Sequence, residues 1–239
     1  MQTDRKIVFD FGEVLFRQSP RSRNLRIRVH PAKGVQVSVP GKCTEERAIN
    51  FVIEKEQWIR SSLKRMAHTR QSLTLFTPET VFSTHSHTLV LRTHERQFLR
   101  MEASGPWLVV YYPAGVEVTH PRVQEFIRSA ILKTLRFEAQ QYLPAHTRAL
   151  AKQHGFSVNE VKVRLNTSRW GSCSGTNNIS LNIHLMRLPQ ALIDYVVLHE
   201  LAHTREKNHG PGFWNLLEKT LPGARRLDKQ LNKYHLLYW

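Results

Sequence analysis

Cysteine is nearly absent from these 239 residues: Cys43 and Cys173 stand alone, with no CxxC pair. A disulfide framework is therefore excluded, and a reducing cytoplasm is the expected compartment. Long apolar runs are missing too. No stretch approaches the roughly 20 apolar residues of a membrane span, so no membrane partner is expected. The opening MQTDRKIVFDFGEVLF lacks the basic, apolar and small-residue blocks of a secretory signal. Acidic residues are scarce, 19 Asp and Glu against 35 Lys and Arg, for a formal charge of +16. The excess divides as +8 over residues 1–70, +2 over 71–150 and +6 over 151–239, so no single tail holds it. Such a surface could attract nucleic acid, and solubility alone would explain it equally well.

No repeat or low-complexity tract organises the chain. In NLRIRVHPAKGVQVSV, residues 24–39, Leu25, Ile27 and Val29 alternate with arginines, and Val35, Val37 and Val39 alternate with polar residues. A turn at 31–34 makes this a period-two hairpin with one buried face. A helix follows over 45–66, with Thr44 as N-cap, Glu45 and Glu46 in its first turn, and Ile49, Val52, Trp58, Ile59 and Leu63 as its stripe. Short β-like runs fill 73–112. A long helix then begins near Pro121, is interrupted at Pro144, and is followed by a shorter one ending at Gly155. Strands return over 160–186, and a further helix starts near Pro189. The class is α+β, with a β-rich N-terminal region, 1–113, carrying one helix, and a C-terminal region, 114–239, whose HELAH sequence predicts a zincin-like catalytic domain.

The chemistry lies in His199-Glu200-Leu201-Ala202-His203, an HExxH on that last helix. Four residues advance a helix by about 400°, so both imidazoles share a face one turn apart and can converge on one zinc ion. Glu200 points beside the metal, where it can take a proton from the attacking water. Leu192, Ile193, Val196 and Val197 bury this helix, and two His and a Glu are costly there without a metal or hydrogen-bond partners. A catalytic zinc needs a third protein ligand and an open position. His209 is favoured if the helix stops quickly: Asn208 tolerates the left-handed conformation, and Gly210 and Pro211 permit a fresh turn into a helix with Phe213, Trp214 and Leu217. Glu206 and Glu218 are rivals for that place. The HExxHxxxxxH spacing also fits metzincins, but their signature has Gly where Glu206 stands, and a methionine turn downstream. All four methionines here precede the motif.

The stretch RWGSCSGTNNISLNIHLMRLPQALIDYVVLHELAHTREKNHGPGFW resembles the YgjP-like metallopeptidase family, relatives of SprT- and WLM-type zinc proteases. The likeness spans roughly residues 15–239, and its specific part is the combination of WGSC, SLN, HELxH and NHxxxFW. It implies zinc at His199, His203 and His209, a catalytic Glu200, and a peptide or protein substrate. Gly210 stands where the family is expected to carry Ser, which weakens a helix N-cap and leaves the ligands untouched.

Other features have weaker readings. Trp170 to Cys173 shape a tight loop, and the strand 179–185 offers an edge beside the cleft for a substrate strand, or merely packs on the helix. Cys173 is a buried small residue in preference to an inhibitory ligand. His85, His87 and His94 lack the partners of a second metal site. Tyr234, His235 and Tyr238 are possible oxyanion donors. Arg21, Arg23, Arg26 and Arg28 either form a solvated strand face or grip phosphates, and the second use would make the chain a nucleic-acid-associated metalloprotein. Nothing in the sequence sets the oligomeric state.

Overall fold

A computed structural model describes residues 4–19, 22–30, 34–71 and 74–236. Their contacts gather into two units, 1–73 and 74–239.

In the first unit, β1 (Arg5–Phe9) and β2 (Gly12–Gln18) form a hairpin, and β3 (Arg26–His30) pairs antiparallel with β4 (Gly34–Val39). Arg26 lies opposite Ser38 in the expected hairpin; of its turn at 31–34, residues 31–33 lie outside the described residues. Parallel pairing of β2 with β4 joins the hairpins in the order β1-β2-β4-β3. Alternation places Val35, Val37 and Val39 on the buried face, against Ala48 and Val52 of α1 (Glu45–Glu54) and Ile59 of α2 (Glu56–Gln71). The expected single helix over 45–66 is thus two. Lys55 leaves helical geometry between them (φ −97°, ψ 8°), while Thr44 caps α1 by accepting the Arg47 N–H. The β1–β2 hairpin has no counterpart in the sequence reading, because its short runs mix polar and apolar residues.

The second unit holds β5 (Thr88–His94), β6 (Arg100–Ser104) and β7 (Trp107–Pro113) in the order β5-β7-β6. These strands, grouped by sequence with the N-terminal region, supply Leu89, Leu91, Leu108 and Val110 to the core that also contains the HExxH helix. Behind them runs α3, one helix from Pro121 to His154, closed by Gly155 at φ 69°. Pro144 lies inside it and does not interrupt it. Proline withholds the N–H that Gln140 would accept, at a cost of about 3 kcal/mol. Burial of Leu135, Ala139, Leu143 and Ala151 along the same stripe exceeds that cost, and the Thr147 hydroxyl bonds the Leu143 carbonyl at 2.7 Å.

A second sheet has β10 (Ile179–Asn182) at its centre, parallel to β8 (Val161–Arg164) and antiparallel to β9 (Gly171–Cys173). After β10 comes a 3₁₀ turn, Ile183–Arg187, then α4 (Gln190–Ala202), α5 (Pro211–Thr220) and α6 (Ala224–Leu231). The expected edge strand 179–185 is therefore the central strand, shortened at Asn182, and the edges are β8 and β9. Among the described residues no helix is long and apolar enough to cross a membrane.

Candidate metal centre

Helix α4 is apolar nearly all round, with Leu192, Ile193, Tyr195, Val196, Val197, Leu198 and Leu201 buried. Packing on all sides holds it rigidly, which suits a helix that must aim two side chains at one point. It ends at Ala202, with His203 as the capping residue. The Thr204, Arg205 and Glu206 N–H groups close back onto the Leu201 and Ala202 carbonyls. The helix thus ends six residues before Asn208, and the only non-glycine residue with positive φ among those described is Asn177. No left-handed residue was needed, because the tight bonds at 201–206 consume the last carbonyls themselves.

The short reversal returns His209 to the helix end. His209 Nε2 lies 3.0 Å from His199 Nε2 and 3.1 Å from His203 Nε2. The fully buried Phe213 of α5 forms their floor, with its centroid 4.9, 4.5 and 4.8 Å from the rings of His199, His203 and His209. Among the described residues these histidines form the one cluster of three potential metal-binding side chains.

The hydrogen bonds on the far side of two rings determine what faces inward. His203 Nδ1 lies 2.9 Å from the Glu206 carbonyl. A carbonyl only accepts, so Nδ1 carries the proton and Nε2 presents a lone pair. The Tyr195 hydroxyl donates to Asp228 at 2.8 Å, and its oxygen lies 3.3 Å from His199 Nδ1. That oxygen accepts from His199, whose Nε2 is then bare as well. Two lone pairs thus face His209 Nε2, which has at most one proton to offer. A cation satisfies all three nitrogens at once, so the residues fit a metal ion. Burial first, and then its two neighbours, lower the His199 pKa to about 3, and burial lowers that of His203. The rings are held in the neutral form that binds metals.

Glu200, about 100° around α4 from His199, is 6% exposed. Burial raises its pKa to about 8, partly opposed by the charge of Arg169. Its room comes from Gly171 of β9: a Cβ there would lie 2.6 Å from Glu200 Oε1 and 2.7 Å from its Cγ. The loop before β9 is tied down by the fully buried Asn182, whose amide donates to the Asn166 and Arg169 carbonyls, each at 2.9 Å. In the motif strings WGSC and SLN, the glycine makes space for the carboxylate and the asparagine holds the approach to it.

The other anticipated residues lie elsewhere. Glu206 packs beside the first turn of α5, with Oε2 3.1 Å from the position of a Gly212 Cβ. Glu218 accepts the Gly223 and Arg225 N–H groups at 2.9 Å, which holds its pKa below the usual carboxylate range. The Cys173 thiol, its pKa raised by burial, donates weakly to the Ser174 carbonyl. His87 bonds Glu138 at 2.6 Å, His94 bonds the Phe98 carbonyl at 2.7 Å, and His85 packs on Tyr142. No contact among the described residues brings Tyr234 to the histidines; the His235 carbonyl meets Arg187, and Tyr238 lies outside the described residues. Sequence reasoning missed Tyr195, Asp228, Asn182 and Gly171 as parts of this site. Only Tyr195 left a local signal, standing four residues before His199 on the same helical face.

A family model described as the YgjP-like, metallopeptidase domain matches residues 23–234. No curated protein matches the chain. Two crystal structures of metallopeptidase zymogens are similar to part of it, Pyrococcus abyssi abylysin at 24% identity and Methanocaldococcus jannaschii jannalysin at 21%. Each match covers 36% of this chain and 90% of the other, with a TM-score of 0.33.

Proposed function

The chain belongs to the YgjP-like metallopeptidase family, and from that premise we propose that it is a zinc-dependent peptidase in which His199, His203 and His209 hold the metal and Glu200 is the general base. The observation that carries this reading is the convergence of three imidazole Nε2 atoms, two of them deprotonated by their outer hydrogen bonds. Three nitrogen ligands leave a fourth position open, which suits a catalytic zinc in preference to a closed structural one. When bound, zinc would polarise the scissile carbonyl and make water acidic enough to be deprotonated near neutral pH.

The protein's own groups do the rest. Glu200, buried beside the first ligand, takes a proton from the attacking water and returns it to the departing amine. Its raised pKa suits both roles, since a group titrating near neutrality gives and takes with little penalty. A nearby cation would favour its carboxylate form. Tyr195 and Asp228 fix the His199 ring, and Phe213 supports all three.

The peptide's place is suggested by β9. Asn182 N–H bonds the Trp170 carbonyl and Ser174 N–H bonds the Asn178 carbonyl, so the even-numbered residues of this strand face β10. By alternation, the N–H and C=O groups of Gly171 and Cys173 point to the free edge. A substrate chain could pair with them as an added strand beside Glu200.

Metal analysis and peptide hydrolysis by wild type and Glu200→Gln test the proposal together. About one zinc per chain is expected in both, with hydrolysis at least about 100-fold lower in the variant. Comparable hydrolysis by the variant would remove Glu200 as the base.

A further inference from the structure

The cations around β9 have a use that catalysis leaves open. Arg169 is exposed, and its charge acts on Glu200. Its backbone does not wander, because buried Asn182 holds the Arg169 carbonyl at 2.9 Å and the Trp170 carbonyl accepts the Asn182 N–H at 2.9 Å. Its side chain takes part in no ion pair among the described residues, whereas neighbouring Lys162 is paired with Glu160. At the other end of the strand, Lys207 donates to Asn177 at 2.9 Å, and its charge reaches Cys173 and His203. A rigidly based, unpaired guanidinium thus stands at the start of the strand beside which a substrate would lie, with a second cation near the end.

We propose that Arg169 selects substrates that carry a carboxylate next to the scissile bond. The proposal rests on the peptidase reading above. Guanidinium geometry matches a carboxylate through two parallel N–H···O bonds, a preference that a point charge such as lysine lacks. In a peptide such a carboxylate comes from Asp or Glu, or from the chain's own C-terminus. Either would pair with Arg169, sparing a cationic cleft from facing a neutral ligand. A basic residue at the same place would meet Arg169 and be rejected.

The test uses the zinc-loaded full chain and quenched peptides that differ at one flanking position, Glu, Gln or Lys, each with a free or an amidated C-terminus. Wild type should cleave the Glu peptide about 10-fold faster in kcat/KM than the Gln peptide, a modest figure for a partly exposed charge-assisted pair. That ratio should shrink as salt rises. R169Q should bring it to about one, and R169E should shift the preference to the Lys peptide, an inversion that a purely structural role for Arg169 would not produce. Persistence after amidation assigns the carboxylate to a side chain; a preference confined to the free acid assigns it to the C-terminus. Equal cleavage of Glu and Gln peptides by active wild type would overturn the proposal and leave the peptidase reading standing. Failure of the zinc-loaded protein to cleave any peptide would overturn both.

Discussion

The two units of this chain treat polar residues in opposite ways. In 1–73 the arginines and carboxylates that are described stand on solvated faces, as in the Arg17–Asp4 and Lys6–Glu13 pairs, and among the described residues Ser62 is the one buried polar side chain. In 74–239 Gln124, Thr134, Glu138, Thr147, Asn182, His184 and Glu200 are all buried. Three of these tie one element to another: Gln124 bonds both backbone groups of Phe76, Glu138 receives Thr84, Ser86 and His87, and Asn182 holds the loop before β9. A buried polar group is costly unless paired, so these bonds favour one specific arrangement. The first unit is held by a simple apolar face. The second spends its buried polarity on precision, and the histidine cluster is found there.

The contrast breaks most visibly at the histidines. His209→Ala should weaken zinc binding by more than about 100-fold, a loss that even outer-shell partners can cause, and abolish hydrolysis. Glu206→Ala and Glu218→Ala should retain the metal in the same titration. Loss of zinc in Glu218→Ala with retention in His209→Ala would replace the three-histidine set by two histidines and a glutamate.

Gly171→Ala is the next largest. The added methyl collides with Glu200, and a displacement of about 1 Å should lower kcat by about 100-fold, with zinc content unchanged. Overpacking should cost about 1–3 kcal/mol in thermal unfolding. Full activity in a folded variant would show that Glu200 has slack.

Smaller still is the pH response of chelated, metal-free protein. Unfolded Glu200 releases its proton near 4.5, folded Glu200 near 8. Between those values the unfolded chain binds fewer protons, so this residue's contribution to stability falls as pH rises. Melting of wild type should therefore worsen relative to Glu200→Gln between about pH 5 and about pH 8, by several degrees. Parallel curves would place Glu200 at its ordinary value.

The smallest effect is expected in the first unit. Arg26 and Arg28 are exposed on β3, an edge strand, and replacing both with Ala should change stability by no more than about 0.5 kcal/mol each. If this basic face serves nucleic acid, duplex DNA binding should fall steeply between about 50 and 200 mM salt and weaken in the double variant. Salt-insensitive or absent binding leaves the arginines as a solvated face.

Local pattern carried much of this protein. The alternation in 24–39 predicts β3 and β4 as a hairpin with one buried face, because neighbours on one strand alternate between its two sides. HExxH needs only helical spacing to bring His199 and His203 to one side, and the short, polar 204–208 stretch leaves His209 within reach. What the helix stop would be, that Pro144 would remain inside α3, and that β9 would be a free edge came from packing. The same holds for Tyr195 with Asp228 at 33 residues' separation and Gly171 with Glu200 at 29. Periodicity records only what happens within a turn or a strand. Contacts between distant segments depend on which arrangement buries the most apolar surface while pairing every buried polar group, and that is decided by the assembled fold.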